Sequence, residues 1–339
     1  MNKIQNISYD VIEYDSTYGN TRLEIKIKGD DINCIILNTI RRSILSYVPN
    51  YAFTEFNFKK NNTIFNNNYI KLRTSNIPVW GIENSLEIFS PKKRIIHDVI
   101  NEEAGNDEDN INDDIDLNPE INNNLNSSTL KQLTMFVDYK SNDNDIFTVT
   151  TDHAKFYYEE KKIDSPYKIP IQLIKLQPKQ TITFSVITSV GIEQQNSIYS
   201  VVAGCFYKEI NENEYNFIIE SRGGLTEKKI IHIGIINIID KLKNIIKNIP
   251  DKIDDIKQKG EIILNNEDAT LGNLLSYGLQ KHKDIKFAGF NIPHPLEQKV
   301  KIHYELNSNK IIDILSDVVE YFVKLFENIY TKNNKIKLE

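Results

Sequence analysis

Cysteine is almost missing from this chain: Cys34 and Cys205 are the only two among 339 residues, and they stand far apart. Two lone thiols exclude a disulfide framework, and with an N-terminus that lacks an apolar signal core they point to a reducing, intracellular setting. Long apolar runs are missing too. The richest, IIHIGIINII, carries His232 and is flanked by Lys228, Lys229 and Lys241, so no segment spans a bilayer and a soluble protein is expected. There is no G-x-x-x-x-G-K-S/T loop, G-x-G-x-x-G turn or H-E-x-x-H pair, which removes support for phosphate cradles and zinc hydrolase chemistry. His97, His153, His232, His282 and His303 show no ligand spacing, and His294, between Pro293 and Pro295, reads as a structural or interface residue. The acidic stretches Asp107 to Asp116 and Asp143 to Asp145 sit among asparagines and read as solvated loop rather than a Mg²⁺ site. No catalytic residue, metal site or cofactor is assigned.

What is present is ordinary in amount and uneven in placement. Apolar residues make up 40% of the chain, enough for two or three compact units. Isoleucine, asparagine and lysine are abundant while glycine and alanine are scarce, a bias of coding sequence more than of structure. The net charge is −6, but Asn101 to Asn124 carry nine acidic side chains and no Lys or Arg, so the remainder sums to −6 + 9 = +3. A weakly basic remainder gives little drive toward phosphate, and tight nucleic-acid binding is not expected.

Two stretches share one grammar. In LEIKIKGDDINCIILNTIRRSILSYVPNYAFTEFNF, Leu23, Ile25 and Ile27 alternate as a strand, Asp30 and Asp31 mark a turn, and Ile36, Ile40, Ile44 and Tyr47 form a helical stripe. In EIILNNEDATLGNLLSYGLQKHKDIKFAGFNIPHP, Ile262 to Leu264 end a strand, Asn265 to Asp268 start a helix, and Leu271, Leu274, Leu275 and Leu279 recur at helical spacing. Gly272 and Gly278 fall inside that helix, where each costs roughly 1 kcal/mol relative to alanine, so close packing is expected there. Asn38 and Asn273 are equivalent in the two copies, as are the aromatic segments Tyr51-Ala52-Phe53 and Phe287-Ala288-Gly289-Phe290. Each copy has a closing amphipathic helix. One stripe is Ile231, Ile235, Ile238, Leu242, Ile245 and Ile249, ended by Pro250, and the other is Ile311, Leu315, Val318, Phe322, Leu325 and Ile329.

ATLGNLLSYGLQKHKDIKFAGFNIPHPLEQKVKIHYEL resembles the small α-like subunit of archaeal and eukaryotic RNA polymerases, whose pattern is an acidic turn, T-L-G-N-L-L and F-A-G-Y-x-I-P-H-P. ILNTIRRSILSYVPNYAF resembles the larger α-like partner, with Asn38, Arg41, Arg42 and Pro49 on its N-x-L-R-R and proline positions. YIKLRTSNIPV, with Arg73, Ile77 and Pro78, and IKLQPKQTITFSVITSVGIEQQNSIYSVVAGCFY are similar to further segments of that partner. The chain thus resembles a fusion of the two partners (bacterial α, archaeal D and L type), as in large cytoplasmic DNA viruses.

The resemblance implies an α+β fold in which two α-like half-units pair as an intramolecular pseudo-dimer, with an inserted β-rich domain. Residues 1–49 and 201–250 would form the larger dimerisation domain, 50–200 the insertion with 101–128 as a disordered acidic loop, 251–259 a connector, and 260–339 the smaller dimerisation domain. Ile36, Ile40, Ile235, Leu242, Leu271, Asn273, Leu275 and Phe322 would line the internal dimer. Asn38, Arg41, Arg42 and Arg73 would dock on the two large polymerase subunits. The implied function is a non-catalytic assembly subunit, monomeric within the complex, accompanied by small accessory subunits, without catalytic contact with nucleic acid or membrane, in host cytoplasm and virion. A free-standing dimerisation adaptor or a nucleic-acid-binding protein are the alternatives, told apart by copurification with a polymerase and by salt-dependent binding.

The chain departs from the pattern in two places. Relatives of the larger partner can carry cysteines for zinc or an iron-sulfur cluster in the inserted domain, and this chain has neither set. The H-x-x-W-x-P residues of the Gly191 loop are replaced by Gln195 to Ser200. Elemental analysis of the purified protein after dialysis against chelator should therefore find no stoichiometric zinc or iron, because isolated cysteines and scattered histidines do not close a four-ligand site.

Overall fold

The computed structural model describes residues 7–17, 20–80, 132–142, 145–159, 161–248, 258–294, 297–307 and 310–338. The acidic run at 101–128, Ile249, Pro250 and most of the 251–259 connector lie outside them. The chain divides into two compact units. One holds the described residues of Met1–Asn50 and Ile192–Glu339, the other those of Tyr51–Glu83 and Phe89–Gly191. Residues 192–200, read from sequence as part of the β-rich stretch, belong to the first unit. Gln194 N donates to Ser46 O at 3.2 Å and the Asn50 side-chain Nδ2 to Ser200 O at 3.3 Å, so one backbone and one side-chain bond tie that loop down.

The first unit contains two antiparallel sheets. One has the order β1 (Ser8–Thr17), β2 (Asn20–Lys28), β11 (Glu214–Ser221), β10 (Val202–Asn211), and the other β12 (Lys259–Asn265), β14 (Lys299–Leu306), β13 (Ile285–Asn291). Strict alternation sets their faces: Leu23, Ile25 and Ile27 of β2 are buried while Glu24 and Lys26 between them are not, and Val300, Ile302 and Tyr304 of β14 do the same. The two sheets carry one topology, since β2-β11-β10 and β12-β14-β13 match strand for strand. The counterpart of β13 is therefore β10. That revises the sequence pairing of Phe287-Ala288-Gly289-Phe290 with Tyr51-Ala52-Phe53, because the latter opens β3 (Asn50–Asn61), which joins a sheet of the other unit.

Four helices pack with these sheets: α1 (Cys34–Tyr47), α3 (Glu227–Asn248), α4 (Ala269–Gln280) and α5 (Ile311–Lys335). Asn33 starts α1 by accepting from Ile35 N at 2.9 Å and Ile36 N at 3.1 Å, and Asp268 starts α4 by accepting from Thr270 N at 2.8 Å. The helices meet in pairs, α1 with α3 and α4 with α5, and also α1 with α4 and α3 with α5. The stripes on α3 and α5 face this common core, where each fully buried Ile, Leu or Phe contributes roughly 1.5–3 kcal/mol.

The second unit holds a five-stranded sheet of order β3, β9 (Thr181–Gly191), β4 (Leu133–Lys140), β6 (Ala154–Tyr158), β7 (Lys161–Ile163), and a pair of β5 (Phe147–Thr150) with β8 (Gln172–Leu176). The segment FTVTTDHAKFYY forms two strands in different sheets. A turn of 3-10 helix at Thr151–His153 separates β5 from β6, fixed by Thr150 N donating to His153 Nδ1 at 3.1 Å. YIKLRTS, in a stretch read as β-rich, lies in a helix, α2 (Asn67–Ser75), capped by Asn66 accepting from Tyr69 N at 2.8 Å.

Two glycines set how closely α4 packs. A Cβ on Gly272 would stand 2.6 Å from Val300 Cγ1, and one on Gly278 would stand 2.5 Å from both Val318 Cγ1 and Phe322 Cε2. Val318 and Phe322 are fully buried and have no room to withdraw. We expect Gly278→Ala to destabilise this unit by about 1–3 kcal/mol in chemical denaturation, despite the better helix propensity of alanine, and Phe322→Leu to recover part of the loss.

Candidate assembly interface

The residues expected at an internal contact are brought together. Ile36 and Ile40 of α1, Ile235 and Leu242 of α3, Leu271 and Leu275 of α4 and Phe322 of α5 all belong to one buried core. Asn273, half-buried, lies beside it. With Asn38 it lines a cavity of about 100 Å³ between α1 and α4, together with Thr39, Arg42, Thr270 and Phe290. The two equivalent asparagines thus share one pocket, although sequence reading assigned one to an outer surface and the other to the internal contact.

All four residues expected to dock on large subunits make hydrogen bonds within the chain. Arg42 turns to α4: its Nε donates to Thr270 Oγ1 at 2.7 Å and its Nη2 to Asp268 Oδ2 at 3.3 Å. Arg73 donates from Nε and Nη2 to Gln172 O at 3.1 and 2.9 Å, pinning α2 to β8 inside the other unit, so sequence proximity to a motif did not bring it to the rest. Arg41 donates to Asn38 Oδ1 from Nε at 3.0 Å and Nη2 at 2.8 Å, one turn along the same helix.

Polar contacts rim the helix core at both ends. At one, Tyr47 OH donates to Asp268 Oδ2 at 3.1 Å, Lys241 Nζ lies 2.7 Å from Glu267 Oε2, and the same ammonium sits 3.9 Å from the Tyr47 ring centroid. Burial pushes the Tyr47 phenol up, and the adjacent Asp268 and Glu267 charges push the same way. Burial also raises Glu267, against the opposing pull of Lys241. For Asp268, burial acts upward, yet bonds from Thr270 and the charges of Arg42 and Lys241 outweigh it and hold the carboxyl below its ordinary value.

At the other end, Asn333 is fully buried in the last turns of α5 and satisfied on both sides. It accepts from Tyr9 OH at 3.1 Å and donates to Lys228 O at 3.0 Å. Lys228 Nζ donates to Asn334 O and Ile336 O at 3.0 and 2.6 Å, taking up carbonyls at the helix end, and His232 Nδ1 lies 3.0 Å from Asn334 Oδ1. Tyr9, Lys228, Lys241 and Asn333 were missed by the sequence reading. Asn333 alone left a signal, since it continues the Phe322, Leu325, Ile329 spacing with a polar residue.

No group of three or more His, Cys, Asp or Glu able to hold a metal occurs among the described residues, and none of their helices is long and apolar enough to cross a membrane.

Antiparallel sheets and helices packed around one core make this an α+β protein. Comparison with known proteins agrees. Residues 259–332 match the model of the RNA polymerase Rpb3/Rpb11 dimerisation domain. A putative DNA-directed RNA polymerase subunit of Acanthamoeba polyphaga mimivirus is 24% identical over 327 residues, covering 91% of this chain and 89% of that one. Subunit RPAC2 of DNA-directed RNA polymerases I and III from Drosophila melanogaster is 31% identical over 84 residues, 23% of this chain and 80% of its own. Its Danio rerio counterpart is 33% identical over 73 residues, 19% of this chain and 65% of its own. The chain belongs to the family of DNA-directed RNA polymerase subunits that carry the Rpb3/Rpb11 dimerisation domain.

The depressed Asp268 carboxyl has a stability consequence with a definite sign. A folded value below the unfolded one adds stability above the unfolded pKa that is lost as pH falls through the folded value. Asp268→Asn keeps one oxygen to cap Thr270 N but loses the charge and the second oxygen that accepts from Arg42 and Tyr47, so it should cost about 1–2 kcal/mol near pH 7. Unfolding measured against pH should show wild type and variant converging below the ordinary aspartate range, about pH 4.

Proposed function

We propose that this chain is a non-catalytic assembly subunit of a multisubunit DNA-directed RNA polymerase. Two α-like half-units pair within one polypeptide, the larger from residues 1–49 and 201–250 and the smaller from residues 260–339, with a β-rich insertion between α1 and β10. The pair presents surfaces on which the two large subunits assemble. The observation that carries the reading is the repeated sheet order: the dimerisation-domain model covers only residues 259–332, yet β2-β11-β10 repeats the order of β12-β14-β13 beside the same four-helix core. The similarity to the mimiviral subunit over nearly all of both chains supports a fused arrangement. Asn38 and Arg41 remain the docking candidates on α1, while Arg42 serves the contact between the halves.

Affinity purification of the tagged chain from its native cell or virion, followed by mass spectrometry, tests this directly. Recovery with two large polymerase subunits is expected; recovery alone would favour a free-standing adaptor.

The internal pairing has its own test. A connector of this size holds its ends at an effective concentration on the order of millimolar, so closure within the chain should win over self-association. An engineered protease site within residues 251–258 should, after cleavage, leave both fragments together through gel filtration, and the uncut protein should run as a monomer. Separation into folded fragments, or a homodimer of uncut chains, would contradict intramolecular pairing.

A further inference from the structure

The charged side chains of the two units are arranged differently. Among the described residues, the ion pairs fall on the first unit, where lysines of both sheets are neutralised: Lys26 and Lys28 by Glu214, Lys259 and Lys286 by Glu305, Lys301 by Glu261. On the β-rich unit the described residues include eleven lysines and arginines against six acidic residues. Its cations Lys59, Lys140, Lys155 and Lys162 make no ion pair among the described residues. The whole-chain charge of −6 conceals this.

Strand register places these lysines. Leu133, Met135 and Val137 of β4 are fully buried, so Thr134, Phe136, Asp138 and Lys140 project from the opposite face of the five-stranded sheet, where Asp138 accepts from Thr183 Oγ1 at 2.9 Å. Phe136 pairs with Lys155 and Thr134 with Tyr157 across β4 and β6, Tyr157 pairs with Lys162 of β7, and Phe136 pairs with Ser185 of β9. Residues opposite one another in an antiparallel ladder share a face. Lys59 of β3 completes it, its Nζ 6.0 Å from the Phe136 ring centroid. Phe136 and Tyr157 are half-buried, and Lys59, Lys155 and Lys162 are exposed. Two aromatic rings on neighbouring strands thus stand near exposed ammonium groups that make no ion pair among the described residues, with Asp138 the carboxylate that β4 places on the same face.

We infer that this face binds single-stranded RNA, with bases stacking on Phe136 and Tyr157 and the phosphates met by Lys59, Lys155 and Lys162. Charge alone would accept any polyanion; the interleaved rings require planar groups that are free to stack. A duplex keeps its bases stacked inside and offers nothing to a flat aromatic face. A protein partner with acidic residues would use the lysines and leave the rings idle. The choice of RNA over DNA rests on the polymerase reading, because the transcript is the strand that such an enzyme releases unpaired; membership of the polymerase is tested separately by copurification.

The test uses the full chain and a fluorescein-labelled, unstructured single-stranded RNA of about 20 nucleotides, followed by anisotropy in 50 and 200 mM salt. Binding that weakens with salt is expected, and a triple variant Lys59→Glu, Lys155→Glu, Lys162→Glu should lose at least about ten-fold in affinity and flatten the salt dependence. Phe136→Ala and Tyr157→Ala should each lose about five-fold or more, and Phe136→Leu, which retains apolar packing, should lose as much as Phe136→Ala. Lys299→Glu with Lys301→Glu, on the other unit, should bind as wild type does. Circular dichroism and thermal midpoints confirm that each variant folds. No binding in 50 mM salt, unchanged binding by the aromatic variants, or equal affinity for duplex RNA would overturn the assignment, and equal or tighter binding of the same sequence as single-stranded DNA would overturn the choice of RNA.

Discussion

Burial of four helix faces in one shared core is the constraint from which the rest of the helical unit follows. The apolar stripes of α1, α3, α4 and α5 are all buried in it, together with the inward faces of both antiparallel sheets. Gly272 and Gly278 let α4 approach both its own sheet and α5. Gly234 does the same where α3 meets α1, since a Cβ there would stand 2.7 Å from Ile44 Cγ1.

Hydrophobic burial is non-directional and does not by itself choose which stripe meets which, or in what register. The polar contacts at the two ends of the core supply that choice. A buried amide such as Asn333 costs about 1–3 kcal/mol if its partners are taken away, so a slipped register would leave it, and the carbonyls that Lys228 caps, unsatisfied. Arg42 and Asp268 are 38% and 29% exposed, which makes their pair weak in energy. Its directional bonds, with those of Thr270 and Tyr47, align α1 against the start of α4.

The two units put charge to different uses. On the helical unit, opposite charges are matched across neighbouring strands, which leaves its sheets close to neutral toward a partner. On the β-rich unit Lys59 and Lys155, which make no ion pair among the described residues, stand on the same sheet face as the half-buried Phe136. A single net charge for the chain averages over both and describes neither.

Local pattern made much of this readable in advance. Period-two alternation gives the β2 and β12 strands and stripes of period 3.6 give the four long helices, because each depends on residues within a few positions of one another. The helical glycines were legible for the same reason, as a local cost that needed a compensating contact. What only the tertiary structure decided involves partners far apart in sequence: β10 rather than β3 as counterpart of β13, the inward turn of Arg42 to a residue 226 positions away, and the bond from Tyr9 to Asn333 across 324. An arginine on a helix carries no mark of whether it faces solvent or another helix, and a lysine in a strand carries none of whether a carboxylate stands opposite. Those outcomes are set by register and packing, which close only when the distant segments meet.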